Sequence, residues 1–162
     1  MREILFRGKR VDDGEWVSGY YLCKKRPYFK DKGVNLEHLI WRNLEIENGD
    51  YKQFVDTIMT ASVVDPETIG QYTGLTDKNG RKIFEGDIVS SGTINPYTIS
   101  FNQTLCCFYL KRCDLEYGGF FTAGDAKCIE VIGNIYDNPE LQTIERTYIN
   151  ERENRRSTKE YY

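Results

Sequence analysis

Between Gln71 and Val89 the chain reads QYTGLTDKNGRKIFEGDIV, and no other segment restricts the backbone so closely. Asn79-Gly80 is a pair able to take positive φ at both central positions of a tight turn, so the run folds back on itself with a hairpin tip there. Glu85-Gly86-Asp87 then puts a glycine where the chain bends or bulges before Ile88-Val89 opens another strand. Two turns join three short strands, and the rest of the fold has to accommodate them.

The flanking sequence is of the same kind. Ile4 and Phe6 alternate with polar neighbours, Trp16, Val17, Tyr20 and Tyr21 follow, and Asp13-Gly14 lies between them, which predicts a β-hairpin over residues 2 to 22. Residues 23 to 35, with their lysines, Pro27 and Gly33, read as a loop with at most a short strand near Tyr28. Between 36 and 64 the pattern is mixed. Leu36, Leu39 and Ile40 suit a short helix, and the run ending in Val63-Val64 suits strands because β-branched residues dominate it.

Asp65-Pro66 marks a corner, since proline holds the preceding residue extended and lacks a donor for a sheet ladder. Short strands are expected again at 97 to 101, 105 to 110 and 128 to 135. Strands at this spacing predict a small, strongly bent barrel. Asn138-Pro139-Glu140 is N-cap chemistry for a terminal helix, with Leu141, Ile144 and Tyr148 on one face. Beyond it, NERENRRSTKEYY is almost wholly polar and reads as a solvated tail.

Hydrophobic residues at 40% and aromatic residues at 14%, twelve of them tyrosines, supply ample packing material for a folded chain. The net charge of −3 and pI near 5.3 do not describe a surface coated in positive charge for duplex DNA, although a local basic patch remains compatible with them. The start, MREILFRGKR, has no apolar run of signal-peptide length, and no eighteen apolar residues are consecutive anywhere. The expectation is a soluble, cytoplasmic protein without a membrane partner. Five cysteines, odd in number and irregularly spaced, read as reduced thiols, and a single histidine with no C-x2-C pair gives no zinc pattern.

Each motif that resembles chemistry has a plainer reading beside it. Gly70, Gly74, Gly80 and Gly86 lack the strand, fixed spacing and following helix of a phosphate loop, and read as turn glycines. Asp77, Glu85 and Asp87 are candidates for a metal-dependent carboxylate site, but acids beside glycine turns more often cap backbone donors. His38 with a cysteine is a nucleophile–base pair only if the fold brings the two together, which sequence does not show. The run KKRPYFK interleaves Lys24, Lys25, Arg26 and Lys30 with Tyr28 and Phe29, the mixture that grips single-stranded nucleic acid. Its plainer reading is a solvated loop whose aromatics tuck against a sheet. No catalytic residue, cofactor site or metal site is predicted.

MREILFRGKR, IGQYTGLTDKNGRKIFEGDIV and EVIGNIYDNPEL, in that order over residues 1 to 141, resemble the YopX-like family of phage and prophage proteins. Tyr72, Gly74, Asp77, Gly80, Glu85, Gly86, Asp87, Gly133 and Asn134 carry the resemblance, and with Asn79 those from Tyr72 to Asp87 read as turn and strand-start residues. It implies a mainly β fold with a small SH3-like barrel half, a β-rich N-terminal half and a C-terminal helix. It also implies homo-oligomers and no established biochemical activity. The boundaries that follow are one domain over 1–141, with an N-terminal half 1–64 and a barrel-like half 65–137, then helix and polar tail over 138–162. The expected function is that of a non-enzymatic phage or prophage accessory protein acting by self-association and by binding a host or phage protein. A single-stranded nucleic-acid-binding module is the alternative, and a carboxylate-based metal-dependent enzyme the third reading.

Overall fold

The computed structural model describes residues 3–25, 36–41, 61–92, 96–112 and 118–142, and the fold is mainly β. The chain divides into two compact units, residues 1–72 and 73–162, each with its own apolar cluster.

In the first unit, β1 (Phe6–Lys9) pairs antiparallel with β2 (Trp16–Lys25), Phe6 opposite Gly19 and Lys9 opposite Trp16. Asp12, Asp13 and Gly14 make the turn: Gly14 takes φ +73°, and the Asp13 carboxylate accepts the Glu15 N–H at 3.0 Å. The predicted hairpin therefore forms, but β2 runs on through Cys23 to Lys25, where a loop was expected. The cause is β3 (Leu36–Trp41), which pairs with β2 from Tyr20–Trp41 to Lys25–Leu36. A short helix at Leu36, Leu39 and Ile40 is thus corrected to a strand, because ladder bonds and burial of Leu39 and Ile40 outweigh the local helical spacing. β4 (Ser62–Val63) adds to β3, and the Val64 N–H reaches the His38 carbonyl at 2.9 Å. Val17, Ile40 and Val64 form the buried centre, with Phe6 and Ile69 against them. Gly8 is close-packed there, since a Cβ on it would lie 3.1 Å from Val64 Cβ.

At the corner Asp65 caps a 3-10 turn over Pro66–Thr68, its carboxylate accepting the Glu67 N–H. β5 (Gly70–Thr76) then pairs with β1, Phe6 opposite Gln71. Its far half belongs to the second unit and neighbours β6 (Lys82–Phe84).

The second unit carries a five-stranded antiparallel sheet in the order β10-β9-β8-β7-β11. The strands are β7 (Asp87–Ser90), β8 (Tyr97–Asn102), β9 (Cys107–Arg112), β10 (Gly118–Phe120) and β11 (Glu130–Asn134). Ile83, Val89, Ile99, Phe108, Ala126, Ile129 and Val131 make its core. Leu105, expected in a strand, sits instead in the β8–β9 turn, where its N–H donates to Asn102 Oδ1. Between β10 and β11 lies α1 (Ala123–Ala126), held by a capping box. Asp125 accepts the Thr122 N–H, and the Thr122 hydroxyl accepts the Asp125 N–H.

Asn138 does not cap the expected helix in the predicted way. Its Oδ1 turns back to accept the Asn134 N–H at 3.3 Å, and Pro139–Gln142 is a 3-10 turn. The Ile144 and Tyr148 face and the polar tail lie outside the described residues. Gly133 leaves room for that arrangement, since a Cβ there would stand 2.5 Å from Asn138 Oδ1.

Candidate interaction surface

The Asp77–Arg81 turn lies at one margin of the second unit's sheet. Gly80 N–H donates to the Asp77 carbonyl and the Asp77 N–H to the Arg81 carbonyl, with φ +82° at Gly80. Asn79 keeps negative φ, so the two-residue turn expected at Asn79-Gly80 is corrected to a longer one that leaves only its last residue left-handed. The difference follows from Asp77. Its Oδ1 accepts N–H bonds from Asn79 and Arg81, both at 2.9 Å, and this ties the turn from Asp77 across to Arg81.

Oδ2 of the same carboxylate accepts the Val131 N–H at 3.0 Å. The Lys78 N–H donates to the Ile129 carbonyl at 3.0 Å, and Arg81 Nη1 approaches the Val131 carbonyl at 3.5 Å. The turn thereby covers the outer side of β11, the edge that β7 does not occupy. Burial is the largest single influence on Asp77 and would raise its pKa. The N–H donors of Val131, Arg81 and Asn79, with the Arg81 charge, outweigh it and hold the carboxyl below the usual aspartate value.

The other two acids also face the backbone. Asp87 is fully buried and its Oδ2 accepts the Phe84 N–H at 2.8 Å. Glu85 Oε1 accepts the Phe101 N–H at 3.3 Å. Gly86, at φ +82°, donates to the Ile99 carbonyl and accepts from the Ile135 N–H. Tyr72 is buried and its N–H reaches the Leu5 carbonyl at 2.8 Å; Gly74 takes φ +87° within β5. Among the described residues no three His, Cys, Asp or Glu side chains gather as a cage for a metal ion.

The opposite edge of the sheet is built differently. β10 has β9 on one side and no strand on the other among the described residues. All three of its residues are exposed, Phe120 at 67%, and Leu105 in the β8–β9 turn is 58% exposed. Phe120 stands opposite Tyr109 on the same face. With Leu105, Cys107, Tyr109 and Asn102 it borders a hollow of about 270 Å³. Sequence reading missed this edge, because Gly118-Gly119 reads as a turn and two glycines give no strand pattern. The only available signal was Phe120-Phe121 directly after them.

The basic–aromatic run is described only at its start. Lys24 forms an ion pair with Glu37 at 3.3 Å and Lys25 ends β2; Arg26, Tyr28, Phe29 and Lys30 lie outside the described residues. Cys23, Cys106, Cys107 and Cys128 are free thiols, and Cys113 lies outside. Cys23 and His38 are direct cross-strand partners of β2 and β3, a proximity sequence alone did not give.

Comparison with known proteins gives two findings. A family model described as YopX protein matches residues 5–142. The crystal structure of protein EF1440 from Enterococcus faecalis is similar at 24% identity and a TM-score of 0.51, over 88% of this chain and 99% of that one, a likeness of fold. No curated protein matches the sequence. No helix among the described residues is long and apolar enough to cross a membrane.

Proposed function

This chain belongs to the YopX protein family, and from that premise we propose that it is a phage or prophage accessory protein of the cytoplasm that works by binding rather than catalysis and self-associates through β10. The supporting observation is the contrast at the sheet margins. One edge is covered by the Asp77–Arg81 turn, while among the described residues the other has no strand on its outer side and leaves Phe120 exposed.

An open edge is a template for pairing with another strand. A second copy is the occupant that fits, because β10 set against its own equivalent makes a self-complementary, two-fold contact. The covered β11 edge stops this sheet from extending further, so the assembly closes at two copies instead of growing into a fibre. Phe120 and Leu105 from each copy then lose their exposure to water, and the flanking hollow receives the partner's side chains.

Light scattering at tens of micromolar concentration tests this. The expected result is a dimer for the native chain and a monomer for the Phe120→Glu, Leu105→Glu double variant, with unchanged melting temperature. A native chain that is monomeric, or a double variant as dimeric as the parent, overturns the reading.

A further inference from the structure

The turn that covers β11 contains a chemically reactive pair. Asn79-Gly80 is one of two Asn-Gly sequences in the chain, and Asn79 is exposed. Its backbone N–H donates to Asp77 Oδ1 at 2.9 Å, whereas none of the described residues bonds to its carboxamide. The space beside Gly80 is open, since a Cβ on it would meet nothing within 4 Å. Only the carbonyl carbon, Cα and Cβ of Asn79 separate the Gly80 nitrogen from Asn79 Cγ, so the two close a small ring without any help from the fold. Glycine, having no side chain, leaves that approach unobstructed.

What restrains the pair is the turn itself. The Gly80 N–H, whose proton has to be lost before its nitrogen can attack, donates to the Asp77 carbonyl at 2.9 Å. Asp77 Oδ1 holds the N–H groups of Asn79 and Arg81 on either side of it. The peptide plane between Asn79 and Gly80 is thereby tied at both ends, and it has to come free before its nitrogen can turn toward the side chain. Oδ2 of the same carboxylate accepts the Val131 N–H at 3.0 Å. One group therefore sets both the geometry of the reactive pair and the cover over the β11 edge.

We propose that Asn79 is a self-modification site, converting to isoaspartate at a rate set by the Asp77 turn, and that the conversion uncovers β11. Hydroxide from solvent removes the Gly80 amide proton, and the nitrogen forms a bond to Asn79 Cγ. The bond from Cγ to the carboxamide nitrogen breaks, and that nitrogen takes a proton from solvent and leaves as ammonia. Water then adds to the main-chain carbonyl of the cyclic imide and breaks its bond to the Gly80 nitrogen, which regains a proton. One water is consumed and one ammonia released, with no change of oxidation state. In the product the chain runs through Cβ and Cγ, one carbon longer between the nitrogens of residues 79 and 80, and the former carbonyl carbon ends as a free carboxylate. A single Asp77 oxygen no longer spans the N–H groups of residues 79 and 81, and a new negative charge stands near the Asp77 carboxylate and repels it. The bond from Asp77 to Val131 loses its support. None of these steps involves β10, so the site stands whether or not the chain self-associates.

The test ages the full-length chain in mildly alkaline buffer, folded and in urea, and follows the Asn79 peptide by mass spectrometry, apart from the peptide with Asn48-Gly49. Asn79 is expected to convert about tenfold more slowly in the folded chain than in urea, the population factor for opening a turn held by one or two net hydrogen bonds. Asp77→Asn, which keeps one acceptor oxygen and is checked for folding by circular dichroism, should speed conversion a few-fold. Asp77→Ala should approach the urea rate. Hydrogen exchange then reads the edge: Val131 should lose protection in step with conversion of Asn79. It should keep that protection in Asn79→Gln aged alongside, because glutamine would have to close a larger ring. Equal rates in the folded chain and in urea, no acceleration in Asp77→Asn, or Val131 protection retained in converted chains overturns the proposal.

Discussion

The two edges of the five-stranded sheet pose the same physical problem and meet it in opposite ways. Both β11 and β10 end the sheet, and a sheet's last strand carries backbone groups with no ladder partner. At β11 those groups are bound by the Asp77–Arg81 turn, with one buried carboxylate taking three N–H donors. At β10 no strand pairs with the side away from β9 among the described residues, and the strand's one large side chain is exposed. The densest motif in the sequence is thus used to close an edge, which makes the edge left open the better candidate for contact.

The largest expected effect comes from breaking the closed edge. Asp77→Ala strips the acceptor from three N–H groups, two in its own turn and one on buried Val131, and should cost about 3 kcal/mol or more. A urea titration followed by far-UV circular dichroism measures it. Asp77→Asn keeps one acceptor oxygen and should cost roughly half as much.

The same carboxyl gives a pH signature. Its folded pKa lies below the ordinary aspartate value, so its contribution is complete above the unfolded value and disappears as pH falls through the folded one. Asp125 is depressed as well, first by the Thr122 hydroxyl and then by the Thr122 N–H, and loses its contribution over the same window. Asp77 is therefore isolated by difference. The stability gap between the native chain and Asp77→Asn should be constant at neutral pH and shrink below about pH 4. A gap that stayed constant down to about pH 2 would contradict the assignment.

This contrast also explains what could be read in advance. Turn chemistry was legible at Asp13-Gly14, Asp65-Pro66 and the Asp77–Gly80 region, because glycine, proline and short acids act locally. The number of residues in the 77–81 turn was not, since it depends on the Asp77 side chain also reaching Val131, fifty-four positions away. β3 was misjudged for a similar reason: its helical spacing is local, and the ladder that makes it a strand is not. β10 carries two glycines and becomes a strand only because β9 is beside it. The interaction surface was accordingly the least legible part, while the closed edge stood out although its use did not.

At the open edge, Gly118 offers a change of intermediate size. A Cβ there would lie 1.9 Å from the Leu110 carbonyl oxygen, a backbone atom that has no rotamer to change. Gly118→Ala should therefore lift β10 from β9, lower stability by about 1–2 kcal/mol and abolish dimerisation together. Phe120→Ser, by contrast, should abolish association with a stability change within about 0.5 kcal/mol, because the ring is already exposed. Light scattering and thermal melts on the two variants separate loss of the strand from loss of its contact.

The smallest effect concerns the turns beside the two edges, which use the left-handed region with different residues. Gly80 takes φ +82° beside the closed edge, and Cys106 takes φ +52° in the β8–β9 turn beside the open one. A side chain in this region costs roughly 1–2 kcal/mol. Gly80→Ala should incur that cost less about 0.5–1 kcal/mol regained from the unfolded chain, a net loss of about 0.5–1 kcal/mol, because the space around it is open and backbone conformation is the only penalty. Cys106→Gly relieves the same strain and gives back about 0.5–1 kcal/mol in unfolded-chain entropy, a net gain of about 0.5–1 kcal/mol. Asparagine tolerates the same φ while keeping a side chain, and Cys106→Asn should raise stability by a few tenths of a kcal/mol, read as a small upward shift in melting temperature. Unequal magnitudes for Gly80→Ala and Cys106→Gly would mean that the Cys106 side chain, whose thiol donates to the Gln103 carbonyl at 3.4 Å, contributes to its turn beyond backbone strain.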